Sequence, residues 1–339
     1  MISIKRVIVL LLVLSGSSHL TFSLSQVQDR RKAINQVAGI AFGTSAGFGT
    51  ASTFPSVALA ESDIATKINP IATLSDGSQF PLASFGLQVY DDAAAYKLTS
   101  TALECGYRNF FSSVLAGNQK GFAKAVKESN IPRKDLYICG SVVSNRANGF
   151  DNAKTETTKG WMRNMEAFGV GGIDYLDQIM LDYPGPSCDS IRGQWSAFEE
   201  MHKQKLTKSI SVSNFNADQL DCVLNTATVK PVVNQLPFSV AYHPGDVVAE
   251  NNKRGILVQA YAPLGGSLGG RFDGKVKKAC SLIGKEHEKS YAQVALRWVI
   301  QSGGSFTTQS KNKDHFSEDL NIFDFELTQD EMKILNSLS

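Results

Sequence analysis

Eight short apolar runs, at residues 85–89, 109–113, 136–142, 176–183, 209–213, 232–236, 257–262 and 305–310, alternate with amphipathic stretches such as 93–105, 155–168, 191–204 and 217–224. Each run is too short for a helix, and the segment after it carries apolar residues at helical spacing. That alternation is the mark of repeated strand–helix units on a parallel sheet. Eight such units close into a barrel more readily than they spread as an open sheet. The alternation alone leaves a doubly wound sheet available, but no G-x-G-x-x-G run follows the first strand to mark one. The expected fold is α/β, a (β/α)8 TIM barrel, with its chemistry at the C-terminal ends of the strands.

One such barrel nearly fills a chain of 339 residues that is 42% hydrophobic. The 34 basic and 32 acidic residues are mixed along the chain and leave a net charge of +2, so no broad field attracts nucleic acid. Five cysteines (Cys105, Cys139, Cys188, Cys222 and Cys280) lie far apart with no C-x-x-C pair. The spacing fits neither a zinc site nor a disulfide scaffold, and most of the five read as core thiols; no metal is expected.

The barrel pattern begins only after residue 80, and residues 1–60 read as an address. Two positive charges in 1–6, the apolar run 7–14 and the small polar stretch 15–18 have the order of a cleavable secretory signal. The run is too short to span a bilayer, so no stable membrane anchor is expected after processing. A second unit follows: Arg30-Arg31, an uncharged stretch over 37–58, and the small-x-small ending Ala58-Leu59-Ala60. It resembles a twin-arginine export signal. Two export signals in series resemble the presequences of thylakoid-lumen proteins in algae with complex plastids. The expected destination is the plastid thylakoid lumen by way of the secretory pathway. The alternative is secretion on the first signal alone, with the rest a spacer. Either way the barrel domain is expected over 61–339.

Several segments share signatures, in order, with the aldo-keto reductases, over about 74–338. Leu74-Ser75-Asp76-Gly77 with Phe80-Pro81 is similar to that family's opening hairpin. Gly106-Tyr107-Arg108 and Gly117-Asn118-Gln119 match the two ends of its G-Y-R-x-x-D-T-A-x-x-Y-x-N-E motif. Asp174-Tyr175-Leu176-Asp177, Val212-Ser213-Asn214-Phe215, Val233-Asn234-Gln235, the stretch from Ala260-Tyr261 to Leu264-Gly265, and Phe323-Asp324-Phe325-Glu326-Leu327 follow at family-like spacing. The resemblance implies an aldo-keto reductase-like barrel and a reaction in which a nicotinamide cofactor gives a hydride to a carbonyl. In the family a tyrosine gives the proton, a lysine and an aspartate tune that tyrosine, and a histidine orients the carbonyl. At those four places this chain has Ala116, Ser141, Phe111 and Asp182.

The resemblance also implies a dinucleotide slot. Ser213, Asn214 and Gln235 stand where the family holds the nicotinamide carboxamide, Tyr261 where a ring stacks on the nicotinamide, and Leu264 on the loop beyond it. Ser310, Glu318 and Asp319 match the adenosine end, where the lysine and arginine that grip a 2′-phosphate are Gln309 and His315. NADPH or NADH is expected to bind, and weakly, since two charge-assisted contacts are gone. Losing a positioned general acid forfeits roughly 10²- to 10⁴-fold in rate. The expected function is therefore a barrel degenerate for carbonyl reduction that keeps a dinucleotide or small-molecule pocket. The alternative is an NAD(P)H-dependent oxidoreductase using replacement residues. The partner is a small-molecule ligand or an unidentified protein. Many members carry a longer tail over the substrate; here the last helix runs to the end, which predicts an open pocket. Trp161, Trp195 and Trp298 read as packing between helices and barrel.

Overall fold

In a computed structural model, which describes residues 69–266 and 269–338, the strand–helix alternation closes on itself. A hairpin, β1 (Ile71–Thr73) and β2 (Gln79–Pro81), precedes eight barrel strands: β3 (Ala83–Gly86), β4 (Asn109–Ser112), β5 (Tyr137–Val142), β6 (Leu176–Asp182), β7 (Thr207–Ser213), β8 (Val233–Pro237), β9 (Leu257–Tyr261) and β10 (Ser305–Thr308). They pair in parallel in sequence order, and β10 joins β9 to β3, which closes the ring. The covering helices are α1 (Asp92–Cys105), α2 (Gln119–Glu128), α3 (Phe150–Gly169), α4 (Cys188–Lys203), α5 (Ala217–Leu224), α6 (Val247–Asn252), α7 (Gly274–Glu286), α8 (Tyr291–Gln301), α9 (Lys313–Leu320) and α10 (Gln329–Asn336). The barrel expected from the sequence is the barrel found. The two presequence units expected over 1–60 lie outside the described residues.

Local chemistry fixes the helix starts. The Asp91 side chain accepts from the Ala94 amide at the head of α1, and Gly106 ends that helix in the left-handed region at φ 106. Reciprocal boxes of Asn216 with Gln219, Ser290 with Gln293, and Thr328 with Glu331 open α5, α8 and α10. The three tryptophans pack on helices as expected: Trp161, Trp195 and Trp298 are buried, and Trp298 stacks on Phe238 at 5.0 Å.

The first strand is shifted from its expected place, starting at Ala83 and ending at Gly86. Phe85 packs outward against Tyr107 and Phe316, so the run 85–89 read as one strand is a strand end followed by a loop. The cysteine reading is corrected for one pair. Cys188 at the head of α4 and Cys222 in α5 form a disulfide with Cα atoms 5.4 Å apart, while Cys105, Cys139 and Cys280 are free. The pairing is set by the packing of α4 on α5, which no cysteine spacing encodes.

The barrel interior is unusually polar for a fold whose centre is commonly filled by Val, Ile and Leu. The Tyr137 hydroxyl donates to Gln178 Oε1 at 2.8 Å, and Gln178 Nε2 donates to Ser211 Oγ at 2.6 Å. Gln235 Nε2 donates to Gln259 Oε1 at 2.9 Å. The hairpin plugs the N-terminal end, where Ser209 Oγ donates to Asp76 Oδ2 at 2.7 Å and Leu74 and Phe80 pack on Tyr137, Val232 and Val233. What remains open to chemistry is the opposite end.

Candidate functional site

At that end the backbone turns sharply three times. Tyr183, Asn214 and Ala262, the first residues after β6, β7 and β9, have φ of 81°, 65° and 51°. Non-glycine residues held there cost on the order of 1–3 kcal/mol each, and such residues cluster at ligand sites. The turns leave Asp182, Ser213 and Tyr261 as the last strand residues on the rim. Two hydrogen bonds carry the ladder one step further, Tyr183 N to Ser213 O at 3.2 Å and Asn214 N to Gln235 O at 3.0 Å.

Asn214 ties the rim together. Its Nδ2 donates to Asp182 Oδ1 at 3.2 Å and to Ser213 Oγ at 2.9 Å, and its Oδ1 accepts from the Tyr261 hydroxyl at 2.8 Å. Ser213 faces Asp182 on one side and Gln235 on the other in strand register. Four residues assigned to the nicotinamide end, Ser213, Asn214, Gln235 and Tyr261, are thus brought together. Leu264, half-buried, packs on the main core just beyond them. Hydroxyl, two amides and a phenol ring supply the donors, acceptors and flat surface that a carboxamide on an aromatic ring requires, so the residues fit a nicotinamide.

The β4–β6 side of the mouth is built differently. Phe111, Cys139 and Met180 form a dry cluster of their own. Ser141 is fully buried, and its Oγ accepts from the Val114 amide at 3.2 Å, holding the loop after β4. Ala116 lies in that loop, its amide bonded to Ser113 O. Desolvation, with the charges of Asp177 and Asp182 adding, pushes the Cys139 thiol well above its ordinary range, so it stays protonated and is a poor nucleophile.

A third wall, which the sequence reading missed, comes from β3 and β10. A methyl on Gly86 would lie 2.5 Å from Gln88 Oε1 and 2.8 Å from Thr307 Oγ1, so any larger residue there would displace these two side chains. Thr307 and Ser84, paired in register, are buried, and their hydroxyls have no hydrogen-bond partner among the described residues. The signal was present in Gly86-Leu87-Gln88, once Gly86 is recognised as the strand's end.

The residues assigned to the adenosine end sit around α9. Ser310 Oγ is 3.0 Å from His315 Nδ1 and accepts the Asn312 amide at 3.1 Å. Lys313 approaches Glu104 at 3.5 Å, and Lys311 lies 5.9 Å from the Tyr90 ring centroid. Glu318 is half-buried, and its backbone carbonyl accepts from Gln293 Nε2. Asp319 is turned inward, only 6% exposed. Burial pushes its carboxyl up to about 7, against a lowering hydrogen bond from Thr308. Asp319 therefore packs on the inner side of α9. Among the described residues no group of three His, Cys, Asp or Glu is placed to hold a metal, and no helix is long and apolar enough to cross a membrane.

Comparison with known proteins places these features. The model of the Aldo/keto reductase family matches residues 80–339. An aldo-keto reductase of Mycobacterium sp. (strain MCS) is 30% identical over 269 residues, 79% of this chain and 90% of that protein. The crystal structure of an aldo/keto reductase from Brucella melitensis superposes with a TM-score of 0.71 at 28% identity, covering 80% of this chain and all of that one. The Bombyx mori aldo-keto reductase, solved in complex with NADP, shares the fold at a TM-score of 0.69 and 22% identity, over 80% and 92% of the two chains.

Proposed function

The chain belongs to the aldo/keto reductase family of oxidoreductases, and from that membership we propose that it binds a nicotinamide dinucleotide at the barrel mouth without carrying out the family's carbonyl reduction. The observation that carries this is the division of the mouth. Ser213, Asn214 and Tyr261 are aligned by hydrogen bonds across the rim, while Phe111, Ser141 and Ala116 are committed to packing and to holding a loop. A bound nicotinamide dinucleotide would supply a hydride. On this chain's side, Ser213, Asn214 and Gln235 would hold the carboxamide and the Tyr261 ring would form the wall beneath it. Phe111 and Ala116 have no proton to give, and the buried Ser141 Oγ is held by the Val114 amide. Gln309 and His315 in place of two cations leave NADPH with no advantage over NADH.

The test is a titration of the full chain with NADPH and NADH, followed by cofactor fluorescence, together with assays on simple aldehydes. Saturable and similar binding of both is expected, with Tyr261→Ala weakening it about tenfold through the lost ring contact. Absence of binding up to millimolar concentration would sink the reading. A second reading, an active oxidoreductase with replacement chemistry, is favoured by the hydrogen-bonded chain from Tyr261 through Asn214 to Asp182. Turnover of an aldehyde that is lost in Asp182→Ala would establish it.

We further propose export to an oxidising compartment, the plastid thylakoid lumen. The paired signal-like units in 1–60 support this, as does the Cys188–Cys222 disulfide, since such bonds persist outside reducing compartments. A fusion of residues 1–60 to a fluorescent protein that stays diffuse in the cytosol would count against it.

A further inference from the structure

The Cys188–Cys222 bond spans the junction of the two rim halves. Cys188 is the first residue of α4, just after the loop that leaves Asp182 at the end of β6, and Cys222 stands in α5, which begins soon after Asn214 at the end of β7. Since Asn214 Nδ2 donates to Asp182 Oδ1, the disulfide closes a ring through both loops and that hydrogen bond. Both cysteines are partly exposed, so solvent species reach the bond. The barrel closes by strand pairing, and Trp195 and Phe198 of α4 and Leu220 and Val223 of α5 seat their helices on the core. A disulfide's stabilisation acts chiefly on the unfolded chain; what the folded chain feels from this one is local.

The turn that Cys188 begins carries the contacts that hold two rim loops. Ser190 Oγ accepts the Gly149 amide and Asp189 Oδ2 the Phe150 amide, both at 2.9 Å, which fixes the loop after β5. Ser187 Oγ caps the turn by accepting the Ser190 amide at 3.2 Å. One turn on, the buried Gln194 accepts the Gly185 amide at 2.7 Å and donates to Ser144 Oγ at 2.9 Å, joining the loop after β6 to the loop after β5. A helix's first turn lacks intrahelical partners for its amides and frays first. A covalent tether there decides how firmly both loops are held.

We propose that Cys188–Cys222 is a reversible redox site: an external dithiol reduces it, which releases the first turn of α4 and with it the rim loops 143–149 and 183–187. A thiolate of the dithiol attacks Cys222 Sγ, the S–S bond breaks, and Cys188 leaves as a thiolate. Its place at the positive end of α4 favours it as the leaving group. The dithiol's second thiolate then attacks the mixed disulfide and releases Cys222. Both cysteines take up protons, two electrons have passed to the protein, and the dithiol ends as a disulfide. Only the further consequence, that ligand affinity follows the redox state, rests on the reading that the mouth is the ligand site.

The test treats the full, folded chain with dithiothreitol, locates new thiols by alkylation and mass spectrometry, and follows hydrogen exchange residue by residue. New thiols are expected at Cys188 and Cys222, with exchange at least roughly fivefold faster at Gly149, Phe150 and Gly185 and unchanged in β8 and β9. Cys222→Ser should exchange like the reduced chain and ignore dithiothreitol, while Cys105→Ser, at a free cysteine, should respond as the native chain does. A bond that resists dithiothreitol until the barrel unfolds would overturn the proposal. So would reduction that leaves those three amides unchanged, or loosening spread evenly over the barrel, which marks a staple for the whole fold. NADPH titration of both redox forms separates the readings. Several-fold weaker binding by the reduced form is expected. No binding by either form sinks the dinucleotide reading while the exchange data still decide this one, and equal binding by both overturns the claim that the mouth responds.

Discussion

Across the barrel mouth, β4–β6 and β7–β9 end at the same rim, yet their inward side chains are used in opposite ways. On the β4–β6 side, Phe111, Cys139 and Met180 exclude water, and the Ser141 hydroxyl is taken up by the Val114 amide. On the β7–β9 side, Ser213, Asn214 and Tyr261 bond one another across the opening, on a backbone bent into the left-handed region at Asn214 and Ala262. The first half is closed chemistry that supports the fold. The second holds hydrogen-bonded polar groups on a strained backbone at the rim. Asp182 lies on the boundary and bonds into the second half.

The largest expected effect tests that division directly. Phe111→Asp restores the residue type that the resemblance implies, but places it in a dry cluster with no partner. An uncompensated buried charge should cost about 3–5 kcal/mol in urea unfolding. Asn214→Ala, by contrast, removes rim hydrogen bonds and leaves alanine at φ 65, for about 1–2 kcal/mol. If the two substitutions cost the same, the halves are not built differently.

The second prediction extends the comparison to the other end of the slot. The Asp319 carboxyl is raised to about 7 by burial under α9. Its unfolded value is near 3.8, so between pH 4 and 7 the folded protein binds more protons than the unfolded one, and stability falls as pH rises through that window. Above it the penalty is constant. Asp319→Asn should therefore stabilise the protein by on the order of 2–4 kcal/mol at pH 8 and by little at pH 4, read from urea melts across the range. A flat pH profile in the native chain would show that the carboxylate is relieved by its hydrogen bond with Thr308.

How much of this was legible in the sequence follows from what each feature depends on. The barrel was, because alternating run lengths report local periodicity, and β4 to β10 fell within a few residues of their expected places. The start of β3 was not, since Leu87 and Val89 continue an apolar run past the point where Gly86 ends the pairing. The rim quartet was legible through resemblance, residue by residue. The Cys188–Cys222 bond was hidden because it joins two helices whose packing is a tertiary fact. The inward turn of Asp319 was hidden for the same reason, since side-chain direction at an element's end depends on which neighbour closes over it, and the meeting of Gln88 with Thr307 became legible only once Gly86 was known to end the strand.

The smallest expected effect is the sharpest on the role of the β4–β6 half. Ser141 stands where the resemblance implies a lysine, and its hydroxyl has one described task, accepting the Val114 amide at 3.2 Å. Ser141→Ala should then cost about 1 kcal/mol and speed hydrogen exchange at Val114 roughly fivefold, since that energy is what holds the amide closed. Affinity for NADPH should stay within about twofold, because no cofactor contact is assigned to this side chain. The separation of the two readouts is the point of the variant. A loop that loosens while the dinucleotide still binds marks Ser141 as a strut, and the mouth as divided. A collapse of dinucleotide binding with unchanged exchange at Val114 would mean the hydroxyl reaches the ligand, and the proton-poor half of the mouth would have to be read as part of the working site.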